Sequence, residues 1–196
     1  PVGMTGIRLE VEANIIEGST SYIKNLTKCI YRTGLEIDEM VLAPLAASTS
    51  VLTKRQKELG VALLDIGGGT TGLSIFVEGD LMHVAVLPIG SEHVTNDIAI
   101  GLRTSIDVAE KVKLEYGFCV PDEVNEKEMI DLAKIHHGEE EKVSRRDVAD
   151  IINARFSEIF ELVDRELQKV GASGMLPAGI VLSGGGSKIP GLVDIA

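Results

Sequence analysis

The sequence is poor in cysteine, in clustered positive charge and in long apolar runs, and each shortage argues against a class of protein. Its two cysteines, Cys29 and Cys119, stand far apart in no metal-type spacing. That argues against a disulfide framework or a zinc site and fits a reducing compartment. Lys and Arg number 19 against 30 Asp and Glu, a formal net charge of −11. A general binder of the nucleic-acid backbone needs clustered Lys and Arg, so no nucleic-acid partner is expected. A single phosphate site survives this reasoning, because backbone N–H groups can build one with little side-chain charge. No apolar run approaches the roughly 18 residues of a membrane span, and no charged-then-apolar signal segment opens the chain. What is present is 196 residues, 44% of them apolar, enough for one large or two small domains. Pro1 at the start and a halt at Ala196 just after a turn signal predict a piece of a longer protein.

Residues 7–16 alternate apolar and polar up to Ile15-Ile16 and read as a strand. Gly18-Ser19-Thr20 follows as a turn and helix cap, and Ile23, Leu26 and Ile30 space an amphipathic helix that Gly34 stops. Met40-Val41-Leu42 predicts a short strand broken by Pro44, and the Ala-rich stretch 45–52 a tightly packed helix. Residues 54–58 read as a charged surface turn, a crossing point between lobes. Residues 61–66 are nearly all apolar, as in a strand buried on both faces. Leu73, Ile75 and Val77 alternate with their neighbours, Glu78-Gly79-Asp80 turns, and 81–87 returns, which predicts a β-hairpin. Helices are predicted over 95–102 and 105–116, the second ended by Gly117. Residues 120–143 are polar and charged and read as a surface excursion, in which His136-His137 beside Glu139 to Glu141 is a solvated loop rather than a metal site. Ser144 to Asp147 has capping-box spacing and opens a long helix carrying Val148, Ile151, Ile152, Phe156, Ile159, Val163 and Leu167, ended by Gly171. Residues 179–182 form a last buried strand.

Two of these strands run into three consecutive glycines, Gly67-Gly68-Gly69 and Gly184-Gly185-Gly186. Runs of glycine cost backbone entropy and need a reason, either unusual dihedrals in a tight turn or close approach of another group. Two such loops, each directly after an apolar strand, favour a ligand between them, with exposed N–H groups cradling phosphate oxygens. Asp65 stands beside that site. Its carboxylate would repel a triphosphate unless Mg²⁺ lay between, held through water. The alternative is an Asp that caps its own turn, and the residues alone leave both open. Thr70 and Thr71 offer hydroxyls to phosphate or to metal-bound water. Gly67, Gly69 and Gly72 match the dinucleotide pattern G-x-G-x-x-G, but that pattern needs a helix next and a period-two hairpin follows. Lys188 follows Ser187, so the Gly-Lys-Ser/Thr order of a P-loop is absent.

The strand, DIGGGTT at 65–71 and the hairpin are similar to the second phosphate motif of the actin, heat-shock chaperone and sugar kinase superfamily. IVLSGGGSKIPG at 180–191 looks like that superfamily's adenosine motif. Ala109-Glu110-Lys111-Val112-Lys113 resembles the helix whose Glu and Lys touch adenosine in chaperone-like members. Within the superfamily, residues 3–16, 42–72, 83–117 and 143–163 resemble the FtsA family of bacterial division proteins. The resemblance implies an α/β, actin-like (ribonuclease H-like) ATPase fold, two-lobed and here incomplete, with ATP and Mg²⁺ in the cleft. It implies nucleotide contacts from Asp65, Gly67, Gly68, Gly69, Thr70, Thr71, Glu110, Lys113, Gly184, Gly185, Gly186 and Ser187, with Asp65 holding Mg²⁺ through water. For Glu110 and Lys113 an internal ion pair at i, i+3 is the alternative.

The resemblance also implies a layout. Residues 1–17 end an FtsA-specific inserted subdomain, 18–56 complete the first lobe, 57–104 with 172–196 form the nucleotide-binding core of the second lobe, and 105–171 form its small subdomain. It implies self-assembly into filaments and binding to the C-terminal tail of the tubulin-like protein FtsZ. It places the protein on the cytoplasmic face of the membrane at the division septum, anchored by a C-terminal amphipathic helix absent from this chain. Arg145, Arg146 and Arg155 fall where FtsA faces the partly acidic FtsZ tail, and Arg pairs well with carboxylates. Salt bridging along the helix with Asp147, Asp150 and Glu158 is the alternative. Two departures stand out. Many relatives read DIGGGTTD where this chain has Gly72, and some carry Glu where it has Ala43 before Pro44. Fewer acids near the γ-phosphate orient an attacking water less well. Nucleotide binding is therefore expected to outlast hydrolysis, in an assembly and tethering module with weak ATPase activity at most. A chaperone-like ATPase or a PilM-like pilus-assembly protein is the rival reading. A small-molecule kinase would need a catalytic Asp in a sugar cleft, and no such motif is visible.

Overall fold

The computed structural model describes residues 3, 6–8, 10, 13, 15–135 and 142–196. The chain divides into two compact units, Pro1–Val41 and Leu42–Ala196. In the first, helix α1 (Thr20–Tyr31) starts after Ser19, whose side chain makes no capping bond, and buries no residue. The chain turns away at Gly34, whose φ of 81° suits glycine. The strand expected over 7–16 is absent among the described residues of that stretch, and its other positions lie outside them.

The second unit opens with α2 (Ala43–Val51), not with the strand expected over 40–42. Leu42 is its extended N-cap and Pro44 sits in the first turn, where a missing N–H costs nothing. The expected charged turn at 54–58 is a helix, α3 (Lys54–Leu59). It is set by a reciprocal capping box in which the Thr53 hydroxyl accepts from the Gln56 N–H at 3.3 Å and the Gln56 side chain accepts from the Thr53 N–H at 2.9 Å.

Strands β1 (Val61–Ile66), β2 (Thr71–Val77) and β3 (Asp80–Leu87) form an antiparallel meander. Glu78 and Gly79, at φ of 56° and 92°, make the tight β2–β3 turn. Helix α4 (Ser91–Leu102) begins four residues before the expected Thr95, because its first turn is polar and carries no apolar periodicity. Helix α5 (Ile106–Tyr116) is capped by Ser105, whose hydroxyl accepts from the Val108 N–H at 3.3 Å. The polar stretch after it is more than a surface excursion. It holds a small ribbon of β4 (Met129–Asp131) and β5 (Lys142–Ser144), and buries Ile130 and Leu132 in the core. The His136-His137 and Glu139–Glu141 segment lies outside the described residues.

Helix α6 (Arg145–Lys169) follows, with Ser144 accepting from the Asp147 N–H at 3.3 Å, half of the expected capping box. Strand β6 (Ile180–Ser183) then returns parallel to β1, giving the sheet order β3-β2-β1-β6. It is an edge strand with Ile180 39% exposed, not the buried strand expected. A short α7 (Leu192–Ile195) closes the chain.

β1 is buried on both faces, as its composition predicts. Ala62, Leu64 and Ile66 face α4, α5 and the stripe Val148, Ile152, Phe156, Ile159, Val163 and Leu167 of α6. Val61 and Leu63 face the other way, toward Leu52, Phe76 and the α2 residues Leu45 and Ala47. Among the described residues no helix is long and apolar enough to cross a membrane.

Candidate functional site

Because β1 and β6 are parallel neighbours with Asp65 beside Ser183, the loops after Ile66 and Ser183 emerge side by side. The first loop is pinned from behind. Gly67 N–H donates to the Thr70 carbonyl at 2.9 Å, and the Gly67 and Gly68 carbonyls accept from the N–H groups of Ser91 and Glu92, each at 2.9 Å. The loop carbonyls thus satisfy the first turn of α4, which otherwise lacks acceptors. Gly90 lies so close to these carbonyls that a side chain there would collide with them. The N–H groups of Gly68 and Gly69 take no partner among the described residues.

The second loop presses on the first strand. Gly184, at φ of 85°, lies against the Ile66 carbonyl and the Asp65 carboxylate, and a Cβ on Gly186 would stand 2.5 Å from Ile66 Cγ2. Both glycines are needed by the protein itself. Gly185 is not: its φ of −64° and ψ of −36° suit any residue, and an added Cβ would meet nothing within 4 Å. It also lines a cavity of about 300 Å³, with Glu110, Lys113, Leu114, Gly186 and Ile189. The Ser187 hydroxyl donates back to the Gly184 carbonyl at 2.8 Å, holding the turn.

Glu110 and Lys113 meet on α5. Lys113 Nζ lies 2.6 Å from Glu110 Oε2 and donates to Thr95 Oγ1 at 2.8 Å and to the Ser91 carbonyl at 3.3 Å. Burial alone would raise the Glu110 carboxyl, but hydrogen bonds from Lys113 and Thr95, with the Lys113 charge, outweigh it and hold it below the usual carboxylate range. A second cavity, of about 470 Å³, also touches this pair and reaches Gly68, Glu92 and Asn96. The structure thus gathers Gly68, Gly185, Gly186, Glu110 and Lys113 around two cavities that share Ser91. Sequence reasoning missed Ser91 and Thr95; their i, i+4 spacing is a signal only once α4 is known to start at Ser91.

Asp65, Gly67 and Thr70 line a third cavity, of about 280 Å³, with Ala43, Pro44 and Gly72. The Asp65 carboxylate has no hydrogen-bond or ion-pair partner among the described residues, where no cluster of three metal-binding side chains occurs. A lone unpaired carboxylate fits Mg²⁺, which takes one or two protein carboxylates and keeps its waters. Thr71 does not offer its hydroxyl as expected: it is fully buried and donates to the Ile89 carbonyl at 2.7 Å. Gly72 has a packing reason, since a Cβ there would stand 2.6 Å from Pro44 Cγ.

The three arginines are engaged within the chain. Arg145 pairs with Glu128 at 2.8 Å and donates to the Tyr116 carbonyl at 3.1 Å. Arg146 holds Glu126 at 2.7 Å and Asp122 at 3.0 Å. Arg155 grips Asp97 of α4 with two bonds, at 2.5 and 2.9 Å, and Glu158 besides. These bonds tie the 122–128 segment and α4 to α6, and of the helix partners named as the alternative Glu158 is engaged, by Arg155.

The meander with a parallel return strand, glycine loops at both strand ends and helices on both faces define an actin-like ATPase fold. Solved structures agree. MreB5 of Spiroplasma citri bound to AMPPNP superposes with a TM-score of 0.66 at 27% identity, over 88% of this chain and 56% of that one. A chain of the PilM–PilN type IV pilus biogenesis complex gives 0.65 at 22% identity, over 88% and 43%. Sequence narrows the class. The family model for cell division protein FtsA matches residues 62–196. FtsA of Pseudomonas aeruginosa is 42% identical over 196 residues, all of this chain and 47% of that protein, and FtsA of Bacillus subtilis 43% identical over all of this chain and 44% of that protein. FtsA of Escherichia coli K12 is 34% identical over 203 residues. The chain belongs to the FtsA family of bacterial cell-division proteins. It spans about half the length of the curated relatives it matches.

Proposed function

We propose that this chain builds much of the nucleotide site of an actin-like division protein that binds ATP with Mg²⁺. The carrying observation is Gly185, a glycine that neither backbone strain nor packing requires, open to a cavity walled by Glu110 and Lys113. The unpartnered N–H groups of Gly68 and Gly69 suit phosphate oxygens, and Asp65 with Thr70 suits a hydrated Mg²⁺. The related fold of MreB5 carries AMPPNP, which supports the same reading here. When bound, ATP supplies an anhydride and Mg²⁺ offsets its charge. Ala43 and Gly72 bring no second carboxylate beside Asp65 to orient water, so hydrolysis is slow and the role is structural. Gly185→Leu tests this in the full-length protein. Its side chain fills the cavity without straining the fold, so calorimetry should show Mg·ATP affinity reduced at least about tenfold at an unchanged urea midpoint. Unchanged affinity would place the nucleotide elsewhere, and a wild-type protein that takes up no ATP would end the reading.

FtsA membership supports the wider proposals. The full-length protein assembles into filaments, binds the FtsZ tail and tethers FtsZ to the cytoplasmic membrane at the septum through a C-terminal amphipathic helix. Its layout is an inserted subdomain ending at residue 17, first-lobe residues 18–56, and a second lobe of 57–104 with 172–196 plus a small subdomain 105–171. For the FtsZ tail, the groove between α4 and α6 offers an apolar floor of Ile100, Gly101, Ile151 and Ala154 beside Arg155. Ile100 is 76% exposed, so Ile100→Asp should abolish binding of an FtsZ tail peptide while leaving Mg·ATP binding intact. Unaltered peptide binding would exclude this groove.

A further inference from the structure

Asp65 has a counterpart on the other flank of the first glycine loop. The Glu92 N–H donates to the Gly68 carbonyl at 2.9 Å, and the Glu92 side chain folds back over the same glycine. A Cβ on Gly68 would stand 2.7 Å from Glu92 Oε1 and 3.2 Å from its Cδ, and one on Gly69 would stand 3.9 Å from Oε2. The carboxylate thus lies on the stretch of backbone whose N–H groups take no partner. Among the described residues it accepts no hydrogen bond and makes no ion pair. It is exposed and lines the cavity of about 470 Å³ with Asp107, Glu110 and Lys113. Lys113, the one cation of that lining, is already paired with Glu110 at 2.6 Å. Nothing in the lining therefore offsets the charge of Glu92. From this geometry we propose that Glu92 is a specificity-determining residue of the first loop, whose charge opposes a bare polyphosphate and so favours the magnesium-bound nucleotide. The proposal rests on the nucleotide reading above and adds to it a residue that the sequence does not single out.

A carboxylate in the first turn of α4 also complements the helix dipole, but that role moves stability and leaves the choice of ligand alone. Repulsion grows with the charge on the phosphates, and magnesium offsets part of that charge, so the two nucleotide forms respond to Glu92 unequally. The test is calorimetry on the full-length protein with AMPPNP, in excess magnesium and in EDTA, for wild type, Glu92→Gln and Glu92→Asp. Glu92→Gln keeps the shape and removes the charge. It should bind metal-free AMPPNP about tenfold tighter than wild type and the magnesium form only about threefold tighter, the order expected of one charge contact at a protein surface. Glu92→Asp loses the packing on Gly68 but keeps a charge at the loop, and should hold the wild-type preference for the magnesium form. Salt at about 1 M, which screens exposed charges beyond roughly 3 Å, should erase most of the gain. A Glu92→Gln protein that binds the metal-free form no better than wild type, or that shifts both forms equally, overturns the proposal. So does a preference lost in Glu92→Asp and kept in Glu92→Gln, which would make Glu92 a packing residue. A wild type that takes up neither form refutes the nucleotide reading instead.

Discussion

Gly72 sits in β2 directly across from Asp65, and a methyl group there would lie 2.6 Å from Pro44 Cγ and 3.3 Å from its Cβ. The proline ring is rigid, buried and fixed in the first turn of α2, so it cannot swing aside as a flexible side chain would. Gly72 does not have a positive φ, and replacing it by Ala would ordinarily stabilise by about 0.4–1 kcal/mol through the unfolded chain. Forcing a methyl into a filled contact costs about 1–3 kcal/mol. The difference runs from about 0 to 2.6 kcal/mol and centres on a destabilisation of about 1.3 kcal/mol for Gly72→Ala. Gly72→Asp should cost more, because it also sets a carboxylate opposite that of Asp65. The assay is urea unfolding followed by circular dichroism on wild type, Gly72→Ala, Pro44→Ala and the double variant. Removing the ring should relieve the overlap, so the double variant should be more stable than the sum of the singles by about 1 kcal/mol. A Gly72→Ala protein as stable as wild type, or a cycle without coupling, would refute the packing reason given for this glycine.

Thr71→Val leaves the Ile89 carbonyl without its donor in a fully buried position and should cost about 1–3 kcal/mol in the same urea assay. Arg155→Met strands Asp97, which is 26% exposed, and should destabilise by about 1–2 kcal/mol, measured by the midpoint shift. The Lys169 hydrogen bond, opposed by burial and helped by His83 at 3.2 Å, holds the Glu166 carboxyl below its ordinary value of 4.5. Its folded-state value is depressed, so its contribution is complete above pH 4.5 and is lost as pH falls through the lowered value. Glu166→Gln should therefore flatten the acid limb of a stability–pH curve, and an unchanged limb would refute this. Burial pushes the Cys119 thiol up to about 12, whereas Cys29 is exposed. Alkylation of the native protein at pH 8, read by peptide mass spectrometry, should label Cys29 and spare Cys119.

The sequence is legible where burial and period coincide. Residues 61–66 are apolar without a break because β1 is covered on both faces, and the stripe from Val148 to Leu167 repeats every three or four residues because α6 buries one side. It is opaque where a local device or a distant partner decides. A capping box between Thr53 and Gln56 turns a charged run into a helix. Ile130 and Leu132 are core anchors inside a polar stretch, visible only once the β4–β5 ribbon has folded back. At the site, two neighbouring threonines part company: Thr70 is exposed at the loop, while Thr71, the first residue of β2, points its hydroxyl into the interior. The arginines of α6 look available on a helical wheel, but their acceptors at 97, 122, 126 and 128 come from elsewhere in the chain. Glycine runs announce both loops, yet only the folded contacts separate Gly184 and Gly186, required by close packing, from Gly185, which packing leaves unexplained.

The most direct measurement is a crystal structure of the full-length protein grown with AMPPNP and magnesium. The expected result has phosphate oxygens within hydrogen-bond distance of the Gly68 and Gly69 N–H groups and the nucleoside in the cavity between Glu110 and Gly185. Electron density for the nucleotide at any other place, with both glycine loops unoccupied, would contradict it.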